Sequence, residues 1–172
     1  MNLRNLFLIF ISVFTFSCRN NSEKPVVSTK PDMDEMADLN RYLVQKDREL
    51  IQNYAERKNL TLNESPTGLW YQIINEGEGP GYKDNDKVIF DYECSLLDGT
   101  KCYSSNILGP KEIILGRSQL EPGLNEGFRM LKPGGVAIFI LPPYLAYGLP
   151  GDGKMIPARA VIVYNVNILR PR

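Results

Sequence analysis

The stretch Leu141-Pro142-Pro143-Tyr144-Leu145-Ala146-Tyr147-Gly148 says most about how this chain folds. It continues from an apolar run at residues 136–141, and a second run, at 161–169, closes the chain. Both runs are rich in β-branched and aromatic residues, which predicts strands. Working outward, similar short runs separated by turn residues fill the second half of the sequence. The predicted strands are residues 69–75, 87–96, 100–104, 112–115, 136–141 and 161–169.

The connections between these strands indicate the fold class. Asp98-Gly99 lies between two predicted strands and is a strong hairpin signal. Residues 123–131 are the only helix predicted in this half, and Lys132-Pro133-Gly134 ends it. Hairpin-type connections with one short helix predict an α+β fold in which an antiparallel sheet wraps on that helix.

Residues 32–58 contain neither proline nor glycine and predict one amphipathic helix ahead of the sheet. Three interpretations stay open: the helix packs on its own domain, it joins two copies into a homodimer, or it is an extended spacer. Lys46 interrupts the apolar stripe, which weakens a coiled-coil interpretation. The segment 63–68 is predicted to be a linker. The apolar stripe consists of Met36, Leu39, Leu43, Leu50 and Tyr54.

The first residues have the character of a targeting signal. Residues 1–17 fit a signal peptide, and their apolar run, 6–16, is too short to span a bilayer. Ser17-Cys18 resembles a bacterial lipobox, which predicts lipidation of Cys18 and a polar tether over 18–31. An ordinary secretory signal with an incidental cysteine is the alternative. We therefore expect a cell-envelope protein held to a membrane by its lipid, with the helix and linker at 32–64 and the main domain at 65–172.

Composition excludes several classes of function. Lys and Arg number 20 against 20 Asp and Glu, so no global field attracts nucleic acid. The sequence has no histidine, which removes the usual catalytic triads and the commonest zinc ligand. No metal site or cofactor is expected.

Three ordered segments together resemble a known family. The first is Lys87-Val88-Ile89-Phe90-Asp91-Tyr92, followed by Leu97-Asp98-Gly99 and Ser104-Ser105. The second runs from Leu115-Gly116 through Pro122-Gly123 to Pro133-Gly134. The third joins the opening stretch to Met155-Ile156-Pro157 and to the closing strand at 161–166. Over residues 68–169 the chain is similar to the FKBP-type peptidyl-prolyl isomerases. The resemblance implies a curved antiparallel sheet around one helix, an apolar pocket between them, and isomerisation of X-Pro bonds in exported proteins. Lipidated members with a helical prefix, including the one associated with gliding motility in Bacteroidetes, look most similar.

The resemblance also assigns residues to the pocket. Tyr147 matches the residue whose hydroxyl bonds a ligand carbonyl, and Tyr92 matches an aromatic wall, so these two are the predicted catalytic residues. Glu121 matches a position that supplies a backbone donor. The predicted substrate-binding residues, which would contact proline-containing polypeptides, are Ile113, Leu120, Glu121, Leu124, Ile156 and Tyr164.

One departure from the family affects the expected activity. A Phe-Asp pair, which supplies a ring and a carboxylate to the pocket, is replaced by Cys102-Tyr103. The chain is therefore either an isomerase of reduced activity or a binding or chaperone module without turnover. The family register also places Cys102 near Cys94, where the two could form a disulfide, remain as small apolar thiols, or act as a reactive pair.

Overall fold

The computed structural model describes residues 32–170, and it has the predicted fold class: an α+β fold built on one antiparallel sheet. The predicted signal peptide, Cys18 and the tether lie outside the described residues. After Pro143–Leu145, which forms a 3-10 turn, the chain reaches its last strand. The helices are α1 (Met33–Lys58), α2 (Ser105–Leu108) and α3 (Pro122–Phe128), and the strands are β1 (Asn63–Glu64), β2 (Trp70–Asn75), β3 (Lys87–Leu96), β4 (Lys101–Ser104), β5 (Lys111–Ile114), β6 (Val136–Leu141) and β7 (Ile162–Ile168).

The sheet has the strand order β1-β2-β6-β7-β3-β4, with β5 also paired to β3. The first half of β3 pairs with β5 and the second half with β4, so the ten-residue strand serves both. Directly opposed residues share one face of an antiparallel pair. One row of such residues therefore crosses four strands on the inner face of the sheet. The row consists of Phe139, Tyr164, Cys94 and Tyr103.

Helix α3 lies close against the inner face of the sheet. The ring of Phe128 packs edge-on against Phe139 at a centroid distance of 6.4 Å, and against Phe90 at 4.6 Å. A Cβ added at Gly127 would come within 2.7 Å of the Phe139 ring, so only glycine permits this approach. The close packing holds the start of α3, and with it Glu121, beside the row of inner-face residues.

The second half of α1 covers the opposite face of the sheet. Ile51 and Tyr54 are buried in a cluster with Ile140 of β6 and Val163 of β7. For this half of the helix, the structure supports packing on its own domain. Within residues 32–170, no helix has both the length and the apolar character needed to cross a membrane.

The apolar stripe predicted for α1 is mostly not its buried face. Leu39 is 55% exposed and Leu50 is 44% exposed, whereas the buried ridge is formed by Asp47, Ile51 and Tyr54. Asp47 is buried because its carboxylate pairs with the guanidinium of Arg159, 2.7 Å away. A stripe defined by apolar residues alone cannot include a carboxylate buried in this way.

Two further predictions need correction. The predicted linker at 63–68 begins with a strand, since Asn63 and Glu64 pair with Tyr71 and Trp70 and the remaining residues turn the chain back. The second half also holds a helix that was not predicted, α2, whose first turn is capped by the hydroxyl of Ser104. Both elements are too short to show a hydrophobic period.

Candidate active site

A cleft opens where the start of α3 meets the turn after β6. Its volume is about 370 Å³, within the usual range of about 300–1,000 Å³ for ligand pockets. The turn is held by backbone bonds from the Leu145 and Ala146 amides to the carbonyls of Pro142 and Pro143. The lining residues are Lys111, Gln119, Leu120, Glu121, Pro122, Ala146 and Tyr147.

Glu121 is the buried carboxylate of this cleft. It directly precedes α3 and is only 7% exposed. Its Oε1 atom accepts hydrogen bonds from the hydroxyls of Tyr147 and Tyr164, the latter at 2.8 Å. Its Oε2 atom is buried without any hydrogen-bond partner among the described residues. Two phenols therefore converge on one oxygen and leave the other free.

The two tyrosines remain protonated donors. Burial, and then the neighbouring Glu121 carboxylate, raise the pKa of Tyr164 far above its usual value. Burial together with the bond to Glu121 raises the pKa of Tyr147 as well. Because the proton of Tyr147 is directed to Glu121, the phenolic oxygen keeps its lone pairs for any other neighbour.

The predicted site residues lie in one region but at different depths. Leu120, Glu121 and Tyr147 line the cleft. The other predicted substrate-binding residues are 1–4% exposed and lie beneath it in the core. Tyr92 is half-buried, with its ring 6.2 Å from that of Tyr164. Which of them touch a ligand stays a prediction. The residues beneath the cleft are Ile113, Leu124, Ile156 and Tyr164.

The cysteines lie beside the same region. Ladder pairing places Tyr103 opposite Cys94, and a bulge makes Cys102 the extra residue of β4. Both cysteines are free thiols in the structure, and the predicted disulfide stays a prediction. Burial raises the pKa of Cys94 to about 12, so this thiol is un-ionised at neutral pH. Burial also raises the pKa of Cys102, with Asp152 adding to the effect.

Sequence reasoning missed the carboxylates of the site. The hydroxyl of Tyr103 donates to Asp152, whose side chain also accepts the backbone N–H groups of Lys154 and Ile156 at 2.8 Å each. Asp152 thus fastens the loop before β7 to β4. The sequence signalled Glu121 only through its place before Pro122-Gly123, and it was assigned for its backbone rather than its side chain. Asp152, between two glycines, had no comparable signal.

Comparison with known proteins gives a consistent result. The family model described as FKBP-type peptidyl-prolyl cis-trans isomerase matches residues 79–169. The FKBP-type peptidyl-prolyl cis-trans isomerase FkpA of Escherichia coli K12 is 33% identical over 124 residues, which cover 72% of this chain and 44% of that protein. FkpA of Aeromonas hydrophila is 35% identical over 141 residues, covering 82% of this chain and 50% of the relative. The chain thus spans half or less of these relatives' length.

Solved structures agree with the sequence matches. The crystal structure of FkpA from Escherichia coli superposes with a TM-score of 0.63 at 27% identity, covering 82% of this chain and 73% of that chain. The N-terminal domain of FKBP42 from Arabidopsis thaliana gives a TM-score of 0.59 at 24% identity, covering 64% of this chain and 91% of that chain, which supports the fold alone.

Proposed function

Because the chain belongs to the FKBP-type peptidyl-prolyl cis-trans isomerase family, we propose that it catalyses cis-trans isomerisation of X-Pro bonds in other polypeptides. The observation that carries this proposal is the cleft in which Leu120 and Ala146 offer apolar contact beside the hydroxyl of Tyr147. A proline ring needs such contact, and the amide beside it needs few, directed hydrogen bonds.

The isomerisation needs no acid, base or nucleophile from the side chains. Rotation about an X-Pro bond is slowed by amide resonance, with a barrier of about 18–20 kcal/mol, and no proton or nucleophile takes part. A site accelerates it by binding the twisted amide better than either planar form, in surroundings that reduce hydration of the carbonyl. Tyr147 is the orienting residue, and a ligand carbonyl that accepts its proton replaces Glu121 as acceptor.

The closed base of the site favours a second candidate function. Leu124, Ile156 and Tyr164 lie beneath the cleft, and the ring and carboxylate of the family's Phe-Asp pair are absent at Cys102-Tyr103. A shallow cleft binds a proline-containing segment without enclosing the twisting amide. A binding or chaperone module with slow or no turnover is therefore the alternative.

The proposal extends to the location of the protein. A signal peptide at 1–17 and lipidation at Cys18 would place the domain at a membrane face of the cell envelope, toward the periplasm or the surface. Its clients would then be exported proteins that fold there, and a role in gliding motility would follow from the subfamily resemblance. Mass spectrometry of the mature N-terminus tests this, since an unmodified Cys18 would exclude the anchor.

Self-association through the first half of α1 is part of the same proposal. Met36, Leu39 and Tyr42, spaced three residues apart on one side of the helix, are 52%, 55% and 62% exposed, an apolar surface that a second copy would cover. Sedimentation velocity is expected to show a dimer that Leu39→Glu dissociates. A monomer at all concentrations would exclude this role for α1.

The activity is tested with a protease-free isomerisation assay on an X-Pro peptide. Tyr147→Phe is expected to lower kcat/KM about tenfold, the effect of one hydrogen bond to the reacting amide. Tyr144→Phe is the matched control, because Tyr144 is in the same turn but is absent from the cleft lining. A folded wild-type protein that leaves the uncatalysed rate unchanged would contradict the enzyme proposal and favour the binding module.

A further inference from the structure

The unpartnered oxygen of Glu121 points to a ligand contact beyond the proline ring. Glu121 is 7% exposed, and its Oε2 atom has no hydrogen-bond partner among residues 32–170. A buried carboxylate oxygen without a donor is costly, because it has lost its water and gained nothing in exchange. Such an atom calls for a donor that the folded chain itself does not supply.

The neighbours of Glu121 cannot meet this need. The charge of Glu121 helps to raise the pKa of Tyr92, Cys94, Tyr147 and Tyr164, and none of these four groups is a cation. Both tyrosines that reach the carboxylate donate to Oε1. Lys111 lines the same cleft, yet its ammonium makes no hydrogen bond to Oε2. The arrangement leaves one strong acceptor unused on a residue that lines the cleft, and because Oε2 itself is buried, the Glu121 side chain must turn slightly to present it to a ligand.

The missing donor has a definite chemistry if the cleft takes a proline-containing peptide. Proline has no backbone N–H, so the donor must come from a residue beside it. When Tyr147 turns its proton to a ligand carbonyl, Glu121 loses one of its two donors. A peptide N–H that donates to Oε2 would return Glu121 to two donors. This hydrogen bond would be shorter and stronger than one between neutral groups, because the acceptor is charged.

We propose that Oε2 of Glu121 accepts a hydrogen bond from the backbone N–H of a residue flanking the bound proline, and that the site therefore selects peptides in which this N–H is free. This inference rests on the proposed binding of proline-containing peptides. Glu121 acts as a specificity-determining residue through its side chain. Its unpaired oxygen is the acceptor of the contact, and the ligand supplies the donor.

The test compares three ligands by isothermal titration or by chemical-shift titration. They are a capped peptide with a single X-Pro bond and two analogues, each with an ester oxygen in place of the N–H before or after the proline. Wild-type protein is expected to bind one analogue at least about tenfold more weakly than the parent, the loss of one hydrogen bond to a charged acceptor.

Glu121→Gln separates this contact from other effects of the ester. With its amide oxygen facing the two tyrosines, the glutamine presents an NH2 group where Oε2 stood, so it cannot accept an N–H. The tenfold difference should then shrink to less than about twofold. Glu126→Gln is the matched control on the same helix, since Glu126 bonds Thr67 and does not line the cleft, and it should keep the full difference.

The outcomes distinguish this inference from the function on which it rests. Wild-type protein that binds all three peptides equally would overturn the role of Glu121 and leave peptide binding intact. Equal discrimination by wild type and Glu121→Gln would also overturn it. Failure of folded protein to bind any of the three would refute the proposed function, and the inference with it.

Discussion

Removing one oxygen from Tyr164 isolates the energy of the buried carboxylate network. Tyr164 is 4% exposed, and its hydroxyl donates to Glu121 at 2.8 Å. The substitution Tyr164→Phe keeps the ring and its contact with Tyr92. Glu121 would then retain Tyr147 as its only donor while remaining buried.

The structure sets the size of the effect. A hydrogen bond to a charged group contributes about 1.5–3 kcal/mol, and the void left by one oxygen adds little. We expect Tyr164→Phe to lower the free energy of unfolding by about 2 kcal/mol. In a chain of 172 residues this corresponds to a fall in Tm of about 4–8 °C.

Urea unfolding in a double-mutant cycle is the assay. In a Glu121→Leu background the hydroxyl of Tyr164 has lost its acceptor, so its removal should cost almost nothing or stabilise the protein. The coupling energy would then be close to 2 kcal/mol. An equal cost of Tyr164→Phe in both backgrounds, or a cost under about 0.5 kcal/mol in the wild type, would refute the reasoning.

Three further predictions concern packing and burial on the two faces of the sheet. Gly127→Ala should destabilise the protein by about 1–3 kcal/mol in urea unfolding despite its better helix propensity, because the new Cβ meets the Phe139 ring at 2.7 Å; an unchanged midpoint would contradict the packing argument. Burial raises the pKa of Cys94 to about 12, whereas the thiol of the unfolded chain ionises at about 8.5. The contribution of this thiol to the free energy of unfolding is therefore constant below a pH of about 8.5 and falls as the pH rises above it. Between pH 8 and 10 the wild type should lose about 2 kcal/mol more than Cys94→Ala, and parallel pH profiles would exclude this assignment. Burial also raises the pKa of Asp47 despite Arg159, so replacing both partners, Asp47→Leu with Arg159→Met, should be neutral or stabilising by about 1 kcal/mol at pH 7, whereas Asp47→Leu alone leaves the Arg159 guanidinium without its carboxylate and should lower Tm; a large loss of Tm in the double variant would show that the ion pair repays its burial.

The sheet could be predicted from the sequence because its signals are local. Short runs rich in β-branched residues are separated by turn residues. The strand β3, for example, begins at Lys87 and ends at Leu96 as expected. Asp98-Gly99 fixed the hairpin that joins β3 to β4. The register was less accessible, since the bulge that makes Cys102 an extra residue depends on twist across the pair rather than on composition.

The site was predictable as a set of residues and not as a surface. The resemblance named residues that the fold does bring to one region. How deeply these residues lie below the cleft depends on the hydrogen bonds from two tyrosines to Glu121. Such contacts join elements that are far apart in the sequence, so the residue pattern of a single strand does not reveal them. Burial of Asp47 escaped prediction for the same reason, since its partner Arg159 is 112 positions away.

The packing of α1 has a consequence for the order in which the chain can fold. Ile51 and Tyr54 are buried against Val161 and Val163, at the other end of the domain. A nascent chain emerges with its N-terminus first, so this helix is available long before the strand that covers it has been made. Contacts so distant in sequence slow folding. Part of the apolar ridge of the helix therefore stays uncovered until β7 has been made, and a chain that ends before Val161 would cover the ridge only with β2 and β6.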